Sequence, residues 1–516
     1  MNNKISEGIL FTDFYQITMA QVYFKEGMHK MPSRFEYFFR HYPDYGAHKA
    51  GYCVNAGLET FIKWMMSVRF DDESINCLRQ HTDLSGRPVF QEAFLEWLKN
   101  EGNFNSLSIY AIPEGRVIHP NVPIVVIEGP IALAQILETS LLNHLNYQIL
   151  IATKAARVKE SALGRPVFEF GMRRGPGMAV NAGARATLIG GADFTSNAGI
   201  SYQLGYKPKG THAHSMVQAF LALGKSEIDA FRACAELYQD SSVLLVDTID
   251  TLRSGVPNAI KIFTELRDKG YKPLGIRLDS GDLAYLAIQS VKMLDNAGFN
   301  DVNIVLSNQL DEIIIWQIIT QIRSEAARYG VNAENLINRL IYGVGTSLIT
   351  SKGHEALDGV CKLVAVFKNS EWKSTMKLAE NTGKTLNPAR KKIWRVYEDN
   401  GKAVGDFLSL DTEKPYDMDE IILRHPMDNT KKRILKKSDI FKIEELLTVI
   451  MDKGQLVYKF PSIEEIRKTK EIDMANLHSG VKRIIFPHEY HVSLTDALWK
   501  IKENLITKIK DEIGRQ

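Results

Sequence analysis

Gly275-Ile276-Arg277-Leu278-Asp279-Ser280-Gly281-Asp282 is the stretch on which the fold turns. An apolar run leads into a fixed cation, two carboxylates and a glycine, and an amphipathic helical pattern starts at Leu283. Polar groups crowded where a strand ends and a helix begins are how a (β/α) barrel builds its active-site mouth. Arg277 alternates with Ile276 and Leu278, so it is expected to point into the ring while its neighbours face the helices. A helix N-cap, with Asp279 or Ser280 capping and Asp282 favouring the first-turn dipole, accounts for the acids and the serine. It does not account for the arginine before them. The segment suits an anionic, hydroxyl-rich ligand.

The chain around it has the same character. Short apolar runs at Val167–Phe170, Gly191–Thr195, Lys209–Thr211, Ser242–Val246, Leu274–Leu278, Val302–Leu306 and Leu340–Val344 are separated by helical patterns. Strands buried on both faces give such runs, and their alternation with helices predicts an α/β sheet or barrel. Before them, residues 9–30 read as a helix with Thr12 as N-cap, Ser33–Phe39 as a strand, and 86–130 as a small β-rich layer. After Cys361 the sequence turns charged and Lys-rich, with helices expected at 416–424 and 494–510. The expected division is an N-terminal α+β lobe over 1–130, an α/β barrel with the site rim over 131–365, and a segment over 366–516 packing with the N-terminal lobe.

Bulk composition narrows the function classes. The 516 residues are 45% hydrophobic and 24% charged, as in a soluble globular protein of more than one domain. A net charge of +3 from 64 basic and 61 acidic residues gives no support for nucleic acid or an anionic membrane as partner. Cys53, Cys77, Cys234 and Cys361 are scattered, so they read as reduced thiols in a cytoplasmic protein, neither a disulfide frame nor a zinc cluster. The N-terminus shows no apolar secretory core, and Glu128, Pro130, Glu138 and His144 interrupt the apolar stretch 122–151 too often for a membrane span.

Other strand candidates also end in polar clusters. Glu169-Phe170-Gly171-Met172-Arg173-Arg174-Gly175-Pro176-Gly177 places two arginine forks in a glycine-rich loop, suited to phosphate or carboxylate; a solvated turn is the alternative. Gly190 to Asn197, containing Asp193, ends in hydroxyls and an amide, and Gly343-Val344-Gly345-Thr346-Ser347 offers glycines and hydroxyls that can cradle phosphate. Gly210-Thr211-His212-Ala213-His214-Ser215 holds two histidines, but no neighbouring cysteine or carboxylate completes a metal set. A capping-turn histidine is the commonest outcome there; among phosphate-binding groups a histidine can instead act as base or accept a phosphoryl group. Singly these are modest signals. Four on one rim are not.

Taken together the chain resembles a nicotinate phosphoribosyltransferase over nearly its whole length. The resemblance begins at Thr12-Asp13-Phe14-Tyr15-Gln16-Ile17-Thr18-Met19 and runs through Gly51-Tyr52, Ala56 to Glu59, the arginine loop and Gly210 to Ser215. It continues at Arg277 to Leu283, Ser307-Asn308, Gly343 to Ser347, Lys362 to Val366 and Met376 to Leu378. It implies an irregular (β/α) barrel with a flanking α+β lobe built from both termini, assembled as a head-to-tail homodimer with shared active sites. It also implies ATP-coupled, ligase-type synthesis of nicotinate mononucleotide and diphosphate from nicotinate and phosphoribosyl pyrophosphate, with Mg²⁺ on the diphosphate. Carried over residue by residue, Phe170 matches the aromatic that stacks on the pyridine ring, with Tyr15 of the neighbouring subunit on its other face. Arg277 and Thr211 match nicotinate-binding positions, Arg277 holding the carboxylate. Arg173 matches a phosphate-contacting arginine, Asp279 a carboxylate on the ribose hydroxyls, and Gly345 with Thr346 the phosphate cradle. His214 matches the histidine phosphorylated by ATP, and Asp193 lies near the position that separates amide from acid substrates. The Gly175–Asn181 loop is shorter than the family's usual form, and the zinc cysteines of some bacterial relatives are missing. Nicotinamide phosphoribosyltransferase is the nearest alternative. A phosphosugar lyase or isomerase using Asp279 as base would need a Schiff-base lysine or metal set at a strand end, and the sequence offers neither.

Overall fold

The computed structural model describes residues 3–378 and 386–514. The chain forms two compact units, one of residues 1–150 with 356–516 and one of residues 151–355.

The second unit is built on a six-stranded sheet, all of whose ladders are parallel. Its spatial order is Phe194–Thr195, Val167–Glu169, Leu340–Val344, Asn303–Leu306, Gly275–Leu278 and Val243–Leu245. Among the described residues no ladder joins the two outer strands, so pairing stops at half a barrel. Ile276, Leu278, Ile304, Leu306, Tyr342 and Val344 are each fully buried, which is the reason these runs read as unbroken apolar segments. Lys209–Thr211 is not a strand: the Lys209 N–H donates to the Thr195 carbonyl at 3.1 Å, but no ladder forms among the described residues, and the segment leads into the helix His214–Ala222. Leu283 starts the helix Leu283–Asn296 as the pattern requires, but the cap is Asp282, whose carboxylate accepts the Tyr285 N–H at 3.1 Å. That leaves Asp279 free of capping duty. Asp311 caps the helix Glu312–Glu325, and buried Glu312 pairs with Lys154 at 2.8 Å and Arg157 at 3.0 Å, fixing the far side of the Ser307–Asp311 turn.

The first unit holds a seven-stranded antiparallel sheet in which Pro32–Phe39 lies between Gly359–Lys368 and Val125–Pro130. The first long helix is Phe14–Lys25; its N-cap position is Asp13, while Thr12 donates its hydroxyl to the Ile136 carbonyl at 3.0 Å. Residues 86–130 combine the helix Glu92–Glu101 with three strands, so that region is mixed and not a β layer. The C-terminal portion is largely strands, where isolated helices were expected. A second six-stranded sheet runs Lys432–Lys436, Glu420–Arg424, Val492–Thr495, Ala403–Leu410, Lys391–Tyr397 and Lys442–Glu445. Residues 420–424 are a strand because Ile421 and Leu423 are buried while Ile422 faces out, a period of two that the surrounding charges mask in the sequence. The terminal helix is present as Asp496–Gly514. No helix among the described residues is long and apolar enough to cross a membrane.

Candidate active site

The polar groups of the second unit collect at the carboxyl ends of its parallel strands, where open α/β sheets bind ligands. Arg277 is the centre of this cluster. Its Nε donates to Ser307 Oγ at 2.8 Å, one terminal nitrogen donates to Thr211 Oγ1 at 3.2 Å, and the other lies 3.1 Å from Asp279 Oδ2. The guanidinium carbon sits 5.5 Å from the centre of the Phe170 ring, within cation–π range. Three hydrogen-bond or ion-pair partners and an aromatic ring hold the fork in one orientation.

Phe170 is placed by its strand neighbours. Its backbone N–H donates to the Val344 carbonyl at 2.9 Å. The preceding Glu169 is fully buried, accepts the Thr195 hydroxyl at 2.5 Å and the Gly171 N–H, and has its carboxyl pushed above the usual range by burial. The Phe170 ring lies directly over Gly343: a Cβ there would come within 2.5 Å of the ring. Gly343→Ala is therefore expected to displace Phe170, at a cost of about 1–3 kcal/mol in overpacking strain or an equivalent loss of ring stacking. A lowered melting temperature, or a displaced Phe170 ring at unchanged stability, is the outcome that thermal melting and NMR of the ring will separate.

Asp279 and His214 meet on the other side of Arg277. Asp279 accepts the Ser307 hydroxyl at 2.5 Å, and its second oxygen lies 3.8 Å from His214 Nε2. The same His214 nitrogen is 3.9 Å from Asp247 Oδ1, and Nδ1 is 3.2 Å from the Thr248 hydroxyl. The Asp247 side chain is 1% exposed; Oδ2 accepts the Asp279 N–H and the Ser280 hydroxyl, and Oδ1 has no hydrogen-bond partner. His212 is differently employed. Its Nε2 accepts the Leu245 N–H at 3.0 Å, Nδ1 faces the Ala213 carbonyl, and burial holds the ring below the ordinary histidine pKa. It is a structural residue.

Of the sequence-derived site residues, Phe170, Thr211, His214, Arg277 and Asp279 thus come together. Gly345 joins them from the next strand end, since a Cβ on Gly171 would lie 2.8 Å from its carbonyl oxygen, and exposed Thr346 follows it. Arg173 lies in the exposed turn Met172–Arg174, beside Phe170 in sequence but outside the hydrogen-bonded cluster. Asp193 is elsewhere: its carboxylate takes Lys159 at 2.7 Å and the Val167 N–H at 2.8 Å, at the opening of the strands and not at their ends. Tyr15 belongs to the first unit and is 49% exposed on the helix Phe14–Lys25. Asp247, Ser307 and Glu169 had no assigned role. Asp247 stands directly after a strand candidate just as Asp279 does, and that parallel is the signal by which it could have been found.

A guanidinium fixed over an aromatic face, flanked by carboxylates and a histidine, is suited to a small anionic ring compound. Comparison with known proteins is specific on this point. Residues 10–146 match the nicotinate phosphoribosyltransferase (NAPRTase) N-terminal domain, and residues 390–502 match the nicotinate phosphoribosyltransferase C-terminal domain. The nicotinate phosphoribosyltransferase of Bacillus subtilis is 38% identical over 98% of this chain and 97% of its own length. That of Caenorhabditis elegans is 32% identical over 96% of this chain and 93% of its own. The crystal structure of human nicotinic acid phosphoribosyltransferase superposes with a TM-score of 0.80 at 27% identity, over 96% of this chain and 99% of that one. The chain belongs to the nicotinate phosphoribosyltransferase family.

Proposed function

We infer that the chain transfers the phosphoribosyl group of phosphoribosyl pyrophosphate to nicotinate, giving nicotinate mononucleotide and diphosphate for NAD salvage. The observation that carries this reading is the Arg277 guanidinium held 5.5 Å from the Phe170 ring centre by Ser307, Thr211 and Asp279. An aromatic carboxylate can lie against Phe170 with its charge on that fork, which binds planar anions in two-point fashion. Asp279 then meets the ribose hydroxyls, Arg173 the phosphate, and Gly345 with Thr346 the phosphate cradle. The pyridine nitrogen attacks ribose C1 as the bond to diphosphate breaks, a step that calls for orientation and charge compensation more than a strong base.

Mg²⁺ fits this donor set. A hard cation held mostly by substrate phosphates takes one or two protein carboxylates, and the cluster supplies Asp279 and Asp247, the latter with one oxygen buried and unpartnered. When bound it would offset charge on the leaving diphosphate. ATP is the proposed co-substrate, its γ-phosphoryl passing to His214 with release of ADP, and Asp247 positions that imidazole. The fold is read as an irregular barrel with a flanking lobe from both termini. The four cysteines, with no disulfide among the described residues, fit a reducing, cytoplasmic setting.

We read the active assembly as a head-to-tail homodimer in which the partially exposed Tyr15 closes the neighbouring subunit's ring site. A chain carrying Arg277→Ala and one carrying Tyr15→Ala are each expected to be strongly impaired at low nicotinate, and mixing them to restore part of the activity through hybrid dimers. Absence of recovery despite demonstrated subunit exchange would mean that each site is built from one chain. The reaction itself is tested with purified protein, phosphoribosyl pyrophosphate and Mg²⁺, given nicotinate or nicotinamide, with and without ATP. Mononucleotide is expected from nicotinate and faster with ATP; turnover of nicotinamide alone would favour nicotinamide phosphoribosyltransferase.

A further inference from the structure

The second sheet of the first unit carries a small apolar cluster, and four of its residues, Val396, Phe407, Leu423 and Leu435, also line a cavity of about 500 Å³. Protein interiors leave few voids larger than a water molecule, and small-molecule sites run from about 300 to 1,000 Å³. None of the residues proposed for phosphoribosyl transfer lines this cavity.

Its lining falls into three zones. The apolar wall is completed by Tyr490, whose hydroxyl donates to Asp406 at 2.9 Å and whose ring stacks on His119 with centroids 3.7 Å apart at 9°. Asp406 is itself spent on Arg395, at 2.9 and 3.0 Å, so the buried acid here is neutralised within the protein and the tyrosine ring is rigid. The same lining carries hydrogen-bonding groups: His425, Glu489 and Ser493, the last directly opposite Phe407 on the neighbouring strand. The His425 Nδ1 accepts the Met427 and Asp428 N–H groups at 3.1 and 3.0 Å, which leaves Nε2 to carry a proton and donate it. The third zone is cationic, formed by Lys431, Lys432 and Arg433. Lys431 pairs with Asp428 at 3.2 Å, whereas Lys432 and Arg433 have no ion pair among the described residues.

We propose that this cavity binds a mononucleotide, its base against Phe407, Leu423 and Tyr490, its ribose among His425, Glu489 and Ser493, and its phosphate on Lys432 and Arg433. An apolar wall, hydrogen-bonding groups and cations without ion pairs among the described residues, all lining one cavity, match the chemistry of base, sugar and phosphate. A fatty acid would want an apolar tunnel without these hydrogen-bonding groups, and a free phosphate would have no use for the wall. Arginine and lysine together supply the fork and the point charge that phosphate sites use.

Hydrogen exchange of the full chain, read by mass spectrometry, tests this with AMP, adenosine and inorganic phosphate as probes. AMP is expected to slow exchange over residues 403–408, 423–436 and 489–493, with adenosine binding about tenfold more weakly for want of the phosphate contacts. The exposed pair Lys432→Glu with Arg433→Glu should weaken AMP binding by a similar factor at an unchanged melting temperature. Half-buried Val404→Trp, which fills the cavity from its wall, should abolish the protection while leaving basal mononucleotide synthesis intact. The proposal is overturned if AMP protects none of these segments or protects the charge-reversed protein equally well. It is overturned too if inorganic phosphate alone reproduces the AMP pattern.

Discussion

His214→Ala is expected to abolish the acid-labile phosphoprotein that the proposed ATP reaction would form, lower ATP hydrolysis by more than about a hundredfold, and leave some basal transfer. The reason lies in how the two histidines of Gly210–Ser215 are employed. A ring nitrogen can attack phosphorus only through a free lone pair. In His212 the accepting Nε2 is already taken by the Leu245 N–H, and the other nitrogen faces a carbonyl. In His214, Nε2 lies 3.8 and 3.9 Å from two carboxylates and Nδ1 is 3.2 Å from a hydroxyl, an arrangement in which one nitrogen carries the N–H toward the acids and the other keeps its lone pair. His212→Ala should therefore keep phosphorylation but lose stability, since it strands a backbone N–H, worth about 1–3 kcal/mol. Asp247→Asn keeps the volume but removes the charge facing Nε2, so it should slow phosphorylation while the KM for nicotinate stays put. Phosphohistidine by ³¹P NMR, together with a melting curve, separates the three variants. Phosphorylation that survives in His214→Ala and vanishes in His212→Ala would reverse the assignment.

The rim was legible because the residues around Arg277 break two rules at once. A charged side chain interrupts an apolar strand, and more acids follow than one helix cap needs. Asp282 proved to be the cap, and Asp279 was left for the site. Asp247 breaks only one rule, a single acid after a strand, which is also what an ordinary turn looks like. Asp193 entered the site by resemblance, from inside the strand candidate Gly191–Thr195. Position along the strand decides its use: it precedes Phe194–Thr195 and binds the start of the neighbouring strand. Lys209–Thr211 had strand-like composition but, among the described residues, makes only one backbone hydrogen bond to the outer strand and no ladder, a matter of partners that local sequence does not carry. The C-terminal sheet was hidden for a similar reason. Ile421 and Leu423 supply only two buried positions on a five-residue strand otherwise set in charge, and their pairing with Lys432–Lys436 supplies what the periodicity lacks.

Arg277→Lys should weaken nicotinate at least tenfold more than it weakens phosphoribosyl pyrophosphate. Lysine keeps the positive charge but not the planar fork. Arg277 now spends Nε on Ser307, with one terminal nitrogen toward Thr211 and one toward Asp279, so its plane is set before any ligand arrives. A lysine ammonium in the same place can satisfy Asp279 but not Ser307 and Thr211 as well, and it has no plane to lie along the Phe170 ring. A charge-assisted contact to a carboxylate contributes about 1.5–3 kcal/mol, or roughly ten- to a hundredfold in affinity. Nicotinamide lacks that carboxylate, so the wild-type preference for the acid should shrink in Arg277→Lys and vanish in Arg277→Ala. The alanine variant also leaves Asp279 without its cation, so some loss in kcat is expected there and less in the lysine variant. Steady-state constants for nicotinate, nicotinamide and phosphoribosyl pyrophosphate in both variants resolve this. A defect confined to phosphoribosyl pyrophosphate, with nicotinate unaffected, would make Arg277 a phosphate ligand and leave the choice between acid and amide to another residue.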